Sequence, residues 1–234
     1  MKKLKTNAEL RQTARGALSG RYTEIIPYVL YYVVMTSLIT GWTSILPYDD
    51  SLFMLLIFTL ADIVSTAILS IFEFGFLKIF MQICCKKSLK NGLLFSGFSN
   101  NPARTVKVSV LLSLLLCICM LPHHLYYYMN SELSISLYFG LAIAGMLVYY
   151  ILVLSFSQCM YLLVDFPTLE FSEIVMLSRK LMKGQKLRYL GLQISFLPLY
   201  LLGLLTCGVG LLWIMPYHYS ANTCFYLNLV ASKE

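Results

Sequence analysis

The chain has 234 residues, of which 59% are hydrophobic and 12% charged, and its formal net charge is +7. Soluble domains carry about 25% charged residues, so this composition excludes an ordinary soluble globular protein. Several apolar runs of about 20 residues predict membrane-spanning segments instead. Because these runs are continuous rather than alternating, we expect an all-α, polytopic transmembrane helical bundle that forms one integral membrane domain, residues 1–234.

The first predicted element is a basic, amphipathic cytoplasmic segment over residues 1–23. Its sequence "TNAE", Thr6–Glu9, fits a capping box at a helix start, and Gly20 fits the position just after a helix end. Residues 24–85 follow as a first transmembrane hairpin, with one apolar run on each side of the sequence "PYDD".

A second basic cytoplasmic segment, residues 86–105, precedes a second hairpin over residues 106–164. We expect both helices of this hairpin to be continuous, the second of them running from Ser134 to Val164. Their connection, "LPHHLYYYMNSE", is rich in tyrosine, which is typical of the aromatic belt at a membrane interface.

Residues 165–187 predict a cytoplasmic amphipathic helix. Apolar side chains recur at three- and four-residue steps along one face, and basic side chains lie toward the other. The apolar set is Phe171, Ile174, Val175, Leu181 and Met182, and the basic set is Arg179, Lys180 and Lys183. This pattern favours a helix that lies along an anionic inner leaflet with its basic side chains among the headgroups. The alternative is a helix that packs under the bundle with its charges in water.

The last segment, residues 188–231, leaves two topologies open. The sequence "CGVG", Cys207–Gly210, separates apolar runs of about 18 and 20 residues, each long enough to cross a bilayer. Glycine accepts the positive φ that a tight turn needs, so we expect a third hairpin and about six spans in total. His218 and Asn222 then lie in the last helix and need hydrogen-bond partners or water. The alternative is a single crossing here, and five spans.

The lysine and arginine residues predict the orientation. Sixteen of the 18 fall in residues 1–23, 86–107 and 179–188, and none falls in the connections "PYDD" and "LPHHLYYYMNSE". The positive-inside rule places the three basic segments and both termini in the cytoplasm of a plasma-membrane protein. The basic segments account for the net charge, so we expect anionic inner-leaflet lipids rather than nucleic acid as partners.

The predicted spans also repeat along the chain. The first, third and fifth begin at Glu24, Val106 and Arg188, with 82 residues between successive starts. Each start follows a basic segment with a helix-breaking residue at the equivalent place: Gly20, Pro102 and Gly184. This spacing predicts three related units, each an amphipathic segment followed by a helical hairpin.

The C-terminal third carries a specific set of motifs. They are "SRKLMKG" at Ser178–Gly184, "SF" at Ser195–Phe196, "LTCGVGLLW" at Leu205–Trp213, "PY" at Pro216–Tyr217 and "FY" at Phe225–Tyr226. Together with "ELRQTARGALSGRY" near the start, this set resembles the signature of a bacterial integral-membrane family, the domain-of-unknown-function (DUF) family numbered 975. The resemblance covers most of the chain. It implies a multi-pass membrane protein of Gram-positive bacteria and no assigned activity.

Three polar side chains fall inside predicted spans: Asp62, Glu73 and Asn222. Asp62 lies about 10 residues into the second span, near the midplane, where a carboxylate is costly and is a functional candidate by default. Glu73 follows three helical turns later and therefore shares the same helix face. The alternative is an Asp62 that is protonated, or bonded to a hydroxyl group of a neighbouring helix.

The sequence contains no GxSxG, HExxH, P-loop or dinucleotide-binding motif, so we expect no enzymatic activity, cofactor or metal. Our first hypothesis is a non-enzymatic membrane scaffold or assembly protein that contacts lipids and other membrane proteins through its basic amphipathic segments. The second is a small transporter or channel that uses Asp62 and Glu73, since transporters often combine internal repeats with polar sites at mid-depth.

Overall fold

A computed structural model describes residues 4–45, 52–89, 92–129 and 134–232. Within these ranges the chain is helical and contains no strand, as the apolar runs predict. The helices are α1 (Asn7–Leu18), α2 (Tyr22–Gly41), α3 (Leu52–Cys84), α4 (Ser96–Ser99), α5 (Pro102–Met129), α6 (Ile135–Val153), α7 (Cys159–Asp165), α8 (Phe171–Met182), α9 (Lys186–Ile194), α10 (Leu197–Leu205) and α11 (Leu211–Ala231).

Five stretches of the described chain are long and apolar enough to cross a membrane. They are Tyr22–Gly41, Phe53–Cys84, Pro102–Tyr127, Ile135–Val153 and Lys186–Leu205. The all-α transmembrane bundle that the sequence predicts is therefore confirmed as a fold class. The 33 residues of α3 make a helix about 50 Å long, well beyond the roughly 30 Å of a bilayer core.

Helix α1 begins and ends as its sequence predicts. The Thr6 hydroxyl accepts the Glu9 N–H at 3.3 Å, and the Glu9 carboxylate accepts the Thr6 N–H at 2.6 Å. Gly20 follows the helix end with a φ of +76°. The buried face of α1, led by Leu10 and Leu18, packs against α11, so this helix is part of the protein core.

We call the end of the bundle that holds α1, residues 85–89 and 92–101 and α8 the basic end. The link from α3 to α5 folds back onto α3 there. A Cβ atom added at Gly75 would lie 1.9 Å from the Leu94 carbonyl oxygen, and one at Gly97 would lie 2.1 Å from the Ile71 carbonyl oxygen. Only glycine permits so close an approach of two backbones. The second basic segment is therefore anchored to the bundle, and its helix α4 is short.

The predicted continuous helix from Ser134 to Val164 is wrong. Helix α6 ends at Val153, and the chain passes through consecutive turns before α7. Within the turns, the Ser155 carbonyl accepts the Ser178 hydroxyl of α8 at 2.9 Å, and the Gln158 side chain is fully buried. A distant part of the chain thus takes the hydrogen bond that a continuous helix would need.

The fifth predicted span is also interrupted. Helix α9 ends at Ile194 and α10 begins at Leu197. Pro198 has no N–H and cannot bond to the Ile194 carbonyl as a helical residue would. The two short helices together still have the length and composition of one membrane span.

The predicted turn at Cys207–Gly210 is present. Cys207 and Gly208 have φ values of +52° and +84°, and the Gly208 N–H donates to the Gly203 carbonyl at 3.2 Å. Helix α11 then returns beside α10 and packs against α1, α2 and α3. Its 21 residues extend about 31 Å, but among the described helices it is not one that meets the apolarity of a membrane span. The sixth crossing stays a prediction.

Equivalent positions of α1 and α8 are about 164 residues apart, which is twice the predicted repeat of 82 residues. The Glu173 carboxylate accepts the Glu170 N–H at 2.8 Å, as Glu9 does for Thr6, and Gly184 has a φ of +77°. The buried positions also correspond: Leu10, Ala14 and Leu18 in α1, and Ile174, Ser178 and Met182 in α8. The amphipathic helices of the first and third units thus correspond, and the repeat of whole units stays a prediction. The middle unit keeps a left-handed residue, Asn101, before its long helix.

Candidate functional site

A cavity of about 730 Å³ lies between the helices of the bundle. Helices α3 and α5 line one part of it and α9, α10 and α11 another, while α2, α6 and α7 also contribute tyrosines. The polar lining residues among the described chain are Tyr32, Thr66, Ser70, Glu73, Ser109, Ser113, Tyr149, Tyr150, Ser157, Tyr161, Tyr189, Gln193, Tyr200, His218, Tyr219 and Asn222. We call this space the central cavity.

Glu73 brings a carboxyl group into the central cavity. It lies on the stripe of α3 that also contains Thr66, Ser70 and Leu77, spaced at three and four residues. The residues on both sides of it, Phe72 and Phe74, are buried. Within the described residues it forms no ion pair, and no lysine or arginine lines the cavity. The carboxyl group therefore faces space that a proton, water or a cation can occupy.

Four tyrosines from four different helices line the cavity together with Glu73: Tyr32, Tyr161, Tyr189 and Tyr219. Aromatic packing holds their rings in place. Tyr32 stacks on Phe76 with ring centroids 4.3 Å apart, and Tyr219 stacks on Phe80 at 5.5 Å. The tyrosine wall around Glu73 is thus supported by the hydrophobic core behind it.

A hydrogen-bonded cluster faces the cavity from α9, α10 and α11. His218 Nδ1 lies 2.8 Å from the Tyr200 hydroxyl, and its Nε2 lies 2.5 Å from Gln193 Oε1. Gln193 Nε2 in turn donates to Asn222 Oδ1 at 3.0 Å. A neutral imidazole that accepts from Tyr200 and donates to Gln193 fits these three contacts. In that tautomer the Asn222 amide nitrogen, 3.2 Å from the same Nε2, finds no acceptor there. The partners that the sequence required for His218 and Asn222 are therefore supplied by protein side chains.

Asp62 lies apart from this arrangement. Its side chain is exposed, does not line the cavity, and takes part in none of the hydrogen bonds or ion pairs described within residues 4–232. It lies one helical turn from Thr66, and Cys117 of α5 is its electrostatic neighbour. Asp62 and Glu73 therefore lie on the same stripe of α3, as predicted. Of the three polar residues that the sequence singles out, Glu73 and Asn222 line the cavity and Asp62 does not.

Helix α8 places its two predicted faces as the periodicity indicates. Arg179, Lys180 and Lys183 are exposed at the basic end. The apolar face does not project outward, because Ile174 and Leu181 belong to a buried cluster formed with α3, α7 and α11. Protein side chains thus cover the surface that the sequence assigns to the inner leaflet.

Comparison with known proteins assigns the chain to a family. The family model described as "Protein of unknown function (DUF975)" matches residues 1–233. The chain belongs to this family. No curated protein and no solved structure matches it.

Two parts of the cavity of this DUF975 member are missing from the sequence-based set of candidates. Gln193 and Tyr200 look like ordinary residues of an apolar run, and they acquire a role only because α9 and α10 pack against α11. The tyrosines around Glu73 come from α2, α7, α9 and α11. No local sequence pattern indicates that these tyrosines converge, although the chain is rich in tyrosine, with 17 residues.

Proposed function

We propose that this chain is a non-enzymatic plasma-membrane protein that binds a small ligand in the central cavity and carries it across the bilayer. This is the transporter hypothesis with Glu73, rather than Asp62, as its central residue. The observation that carries it is the polar lining of a 730 Å³ cavity within apolar helices. Polar groups inside a membrane protein are costly to keep, and they commonly mark a pathway or a binding site.

The arrangement of the hairpins also supports movement of a ligand. Helix α6 packs mainly on α5, and α10 packs on α11, while α3 contacts both α5 and α11. The cavity therefore lies between two hairpins that meet at a common helix. Rocking of one hairpin against the other would change access to the cavity, which is how many transporters built from repeats work.

Cysteine labelling tests whether the cavity is open to water. In a variant without native cysteines, Leu112→Cys places a thiol on the cavity wall of α5, and Leu114→Cys places one on the exposed outer face, where Leu114 is 47% exposed. A membrane-impermeant maleimide should label Leu112→Cys, because water fills a polar cavity. It should label Leu114→Cys far more slowly, since lipid covers that face.

The proposal fails if Leu112→Cys is as unreactive as Leu114→Cys in folded protein. In that case the cavity is closed to water, and a ligand has no path to it. Labelling of Leu112→Cys from either side of the membrane supports the proposal, and the side that reacts identifies the open end.

One specific observation favours the scaffold hypothesis. Arg179, Lys180 and Lys183 are exposed at the basic end, where they can contact anionic headgroups. Because the apolar face of α8 is covered, this contact is electrostatic and superficial. Replacing the three residues by glutamine should reduce the anionic lipid that co-purifies with the full chain, as measured by native mass spectrometry. Unchanged lipid retention would leave α8 as a structural connector.

A further inference from the structure

We infer that the ligand of the central cavity is an organic cation, a protonated or quaternary amine whose positive charge lies against Glu73. This inference rests on the proposed function and adds the chemical class of the ligand. Glu73 is the one acidic residue among the described lining residues, and they include no lysine or arginine. A carboxylate without a protein counter-charge in such a place binds either a proton or a cation.

The aromatic lining selects an organic cation over a metal ion. Seven tyrosines line the described part of the cavity. Ring faces attract ammonium groups, and they are the usual walls of sites for quaternary amines. Tyr32 and Tyr219 stack on Phe76 and Phe80, which follow Glu73 by about one and two turns on α3. Among the described residues, no group of three or more His, Cys, Asp or Glu side chains could hold a metal ion.

The remaining polar groups disfavour an anion. His218 uses both ring nitrogens, one toward Tyr200 and one toward Gln193, and the Gln193 amide donates to Asn222. The Tyr200, His218 and Gln193 donors are thus engaged within the cluster, while Glu73 repels negative charge. The volume of 730 Å³ is in the range of about 300–1,000 Å³ that small-molecule sites occupy.

Calorimetry on the full chain in nanodiscs tests the inference with two probes of similar size and opposite charge, benzyltrimethylammonium and benzenesulfonate. The wild-type protein should bind the ammonium probe and not the sulfonate. Glu73→Gln keeps the shape of the side chain and removes its charge, and it should weaken ammonium binding by about tenfold or more. Asp62→Asn is the matched control, because this carboxyl group lies outside the cavity, and it should bind as the wild type does.

A second measurement keeps the test decisive if Glu73→Gln does not fold. With Glu73 intact, the Leu112→Cys thiol should react faster with a trimethylammonium-ethyl methanethiosulfonate than with its sulfonatoethyl analogue, after correction for their rates with a free thiol. Equal corrected rates, or ammonium binding that survives unchanged in a folded Glu73→Gln protein, would overturn the inference. The proposed function would stand even then, provided that Leu112→Cys is labelled. If Leu112→Cys is not labelled at all, the cavity is closed to water, and both the proposed function and this inference fail.

Discussion

At the scale of single residues, the cluster around His218 shows how α11 carries polar groups within an apolar bundle. His218, Gln193 and Asn222 satisfy one another across α9 and α11. A buried donor or acceptor that loses its partner in a medium of low polarity retains the full cost of its desolvation. The cluster therefore contributes to the packing of α9 on α11 as well as to the cavity wall.

Replacing Gln193 by leucine should destabilise the protein by about 1–3 kcal/mol, because the His218 and Asn222 side chains would each lose the hydrogen bond that Gln193 makes to them. The measurement is thermal or denaturant unfolding in detergent. Gln12→Leu is the control, because Gln12 is exposed on α1, and it should change the free energy of unfolding much less. Equal effects of the two substitutions would mean that the cluster adds nothing to stability.

At the scale of elements, the close contact between α3 and the link that follows it determines where the basic end sits. Leu93 and Leu94 are buried on α3, and the approach is possible because Gly75 has no side chain. The atom that a Cβ at this position would meet is a backbone carbonyl oxygen, which cannot rotate away as a flexible side chain could.

Gly75→Ala should therefore lower the free energy of unfolding by about 1–3 kcal/mol, which is typical of overpacking in a tight interior. The matched control is Gly140→Ala on α6, where an added Cβ would meet nothing within 4 Å. Alanine is the better helix former by about 1 kcal/mol, so the control should be neutral or stabilising. A Gly75→Ala protein as stable as the control would show that the link does not pack on α3.

At the scale of the whole molecule, the long apolar helices and their connections predict that the two ends of the bundle lie on opposite sides of a membrane. At the basic end, the Lys5 N–H donates to Asn228 near the end of α11 at 3.1 Å, and α1 runs beside α11 as far as Tyr217, whose hydroxyl accepts from Arg15 at 3.0 Å. With α11 as a sixth crossing, both termini lie on the same side. The distribution of lysine and arginine predicts that this side is the cytoplasm.

Two native cysteines report on this topology. Cys85 is exposed at the basic end, and Cys207 is exposed in the turn before α11. Among single-cysteine variants in intact cells, Cys207 should react with an impermeant maleimide, and Cys85 should react only after permeabilisation. A reporter fused after Ala231 should read cytoplasmic. An external reading for that fusion, with Cys207 still labelled from outside, would mean that α11 does not cross.

The sequence by itself determined the features that depend on neighbouring residues. Continuous apolar runs predicted the long helices, "TNAE" predicted the start of α1, and "CGVG" predicted the turn before α11, because capping, positive φ and helical periodicity are local properties. The correspondence of α1 with α8 also followed from spacing along the chain. The periodicity of α8 indicated correctly which residues are basic and outward.

Only the tertiary structure decided what each face meets. The break after Val153 is accompanied by a hydrogen bond between Ser155 and Ser178, which lie far apart in the sequence. The apolar face of α8 meets protein, and Asp62 and Glu73 differ in surroundings although they share one stripe of α3. The cavity is the space enclosed between several helices of the bundle. Its tyrosines come from separate helices. Such convergence depends on packing between distant segments, and no local pattern of residues encodes it.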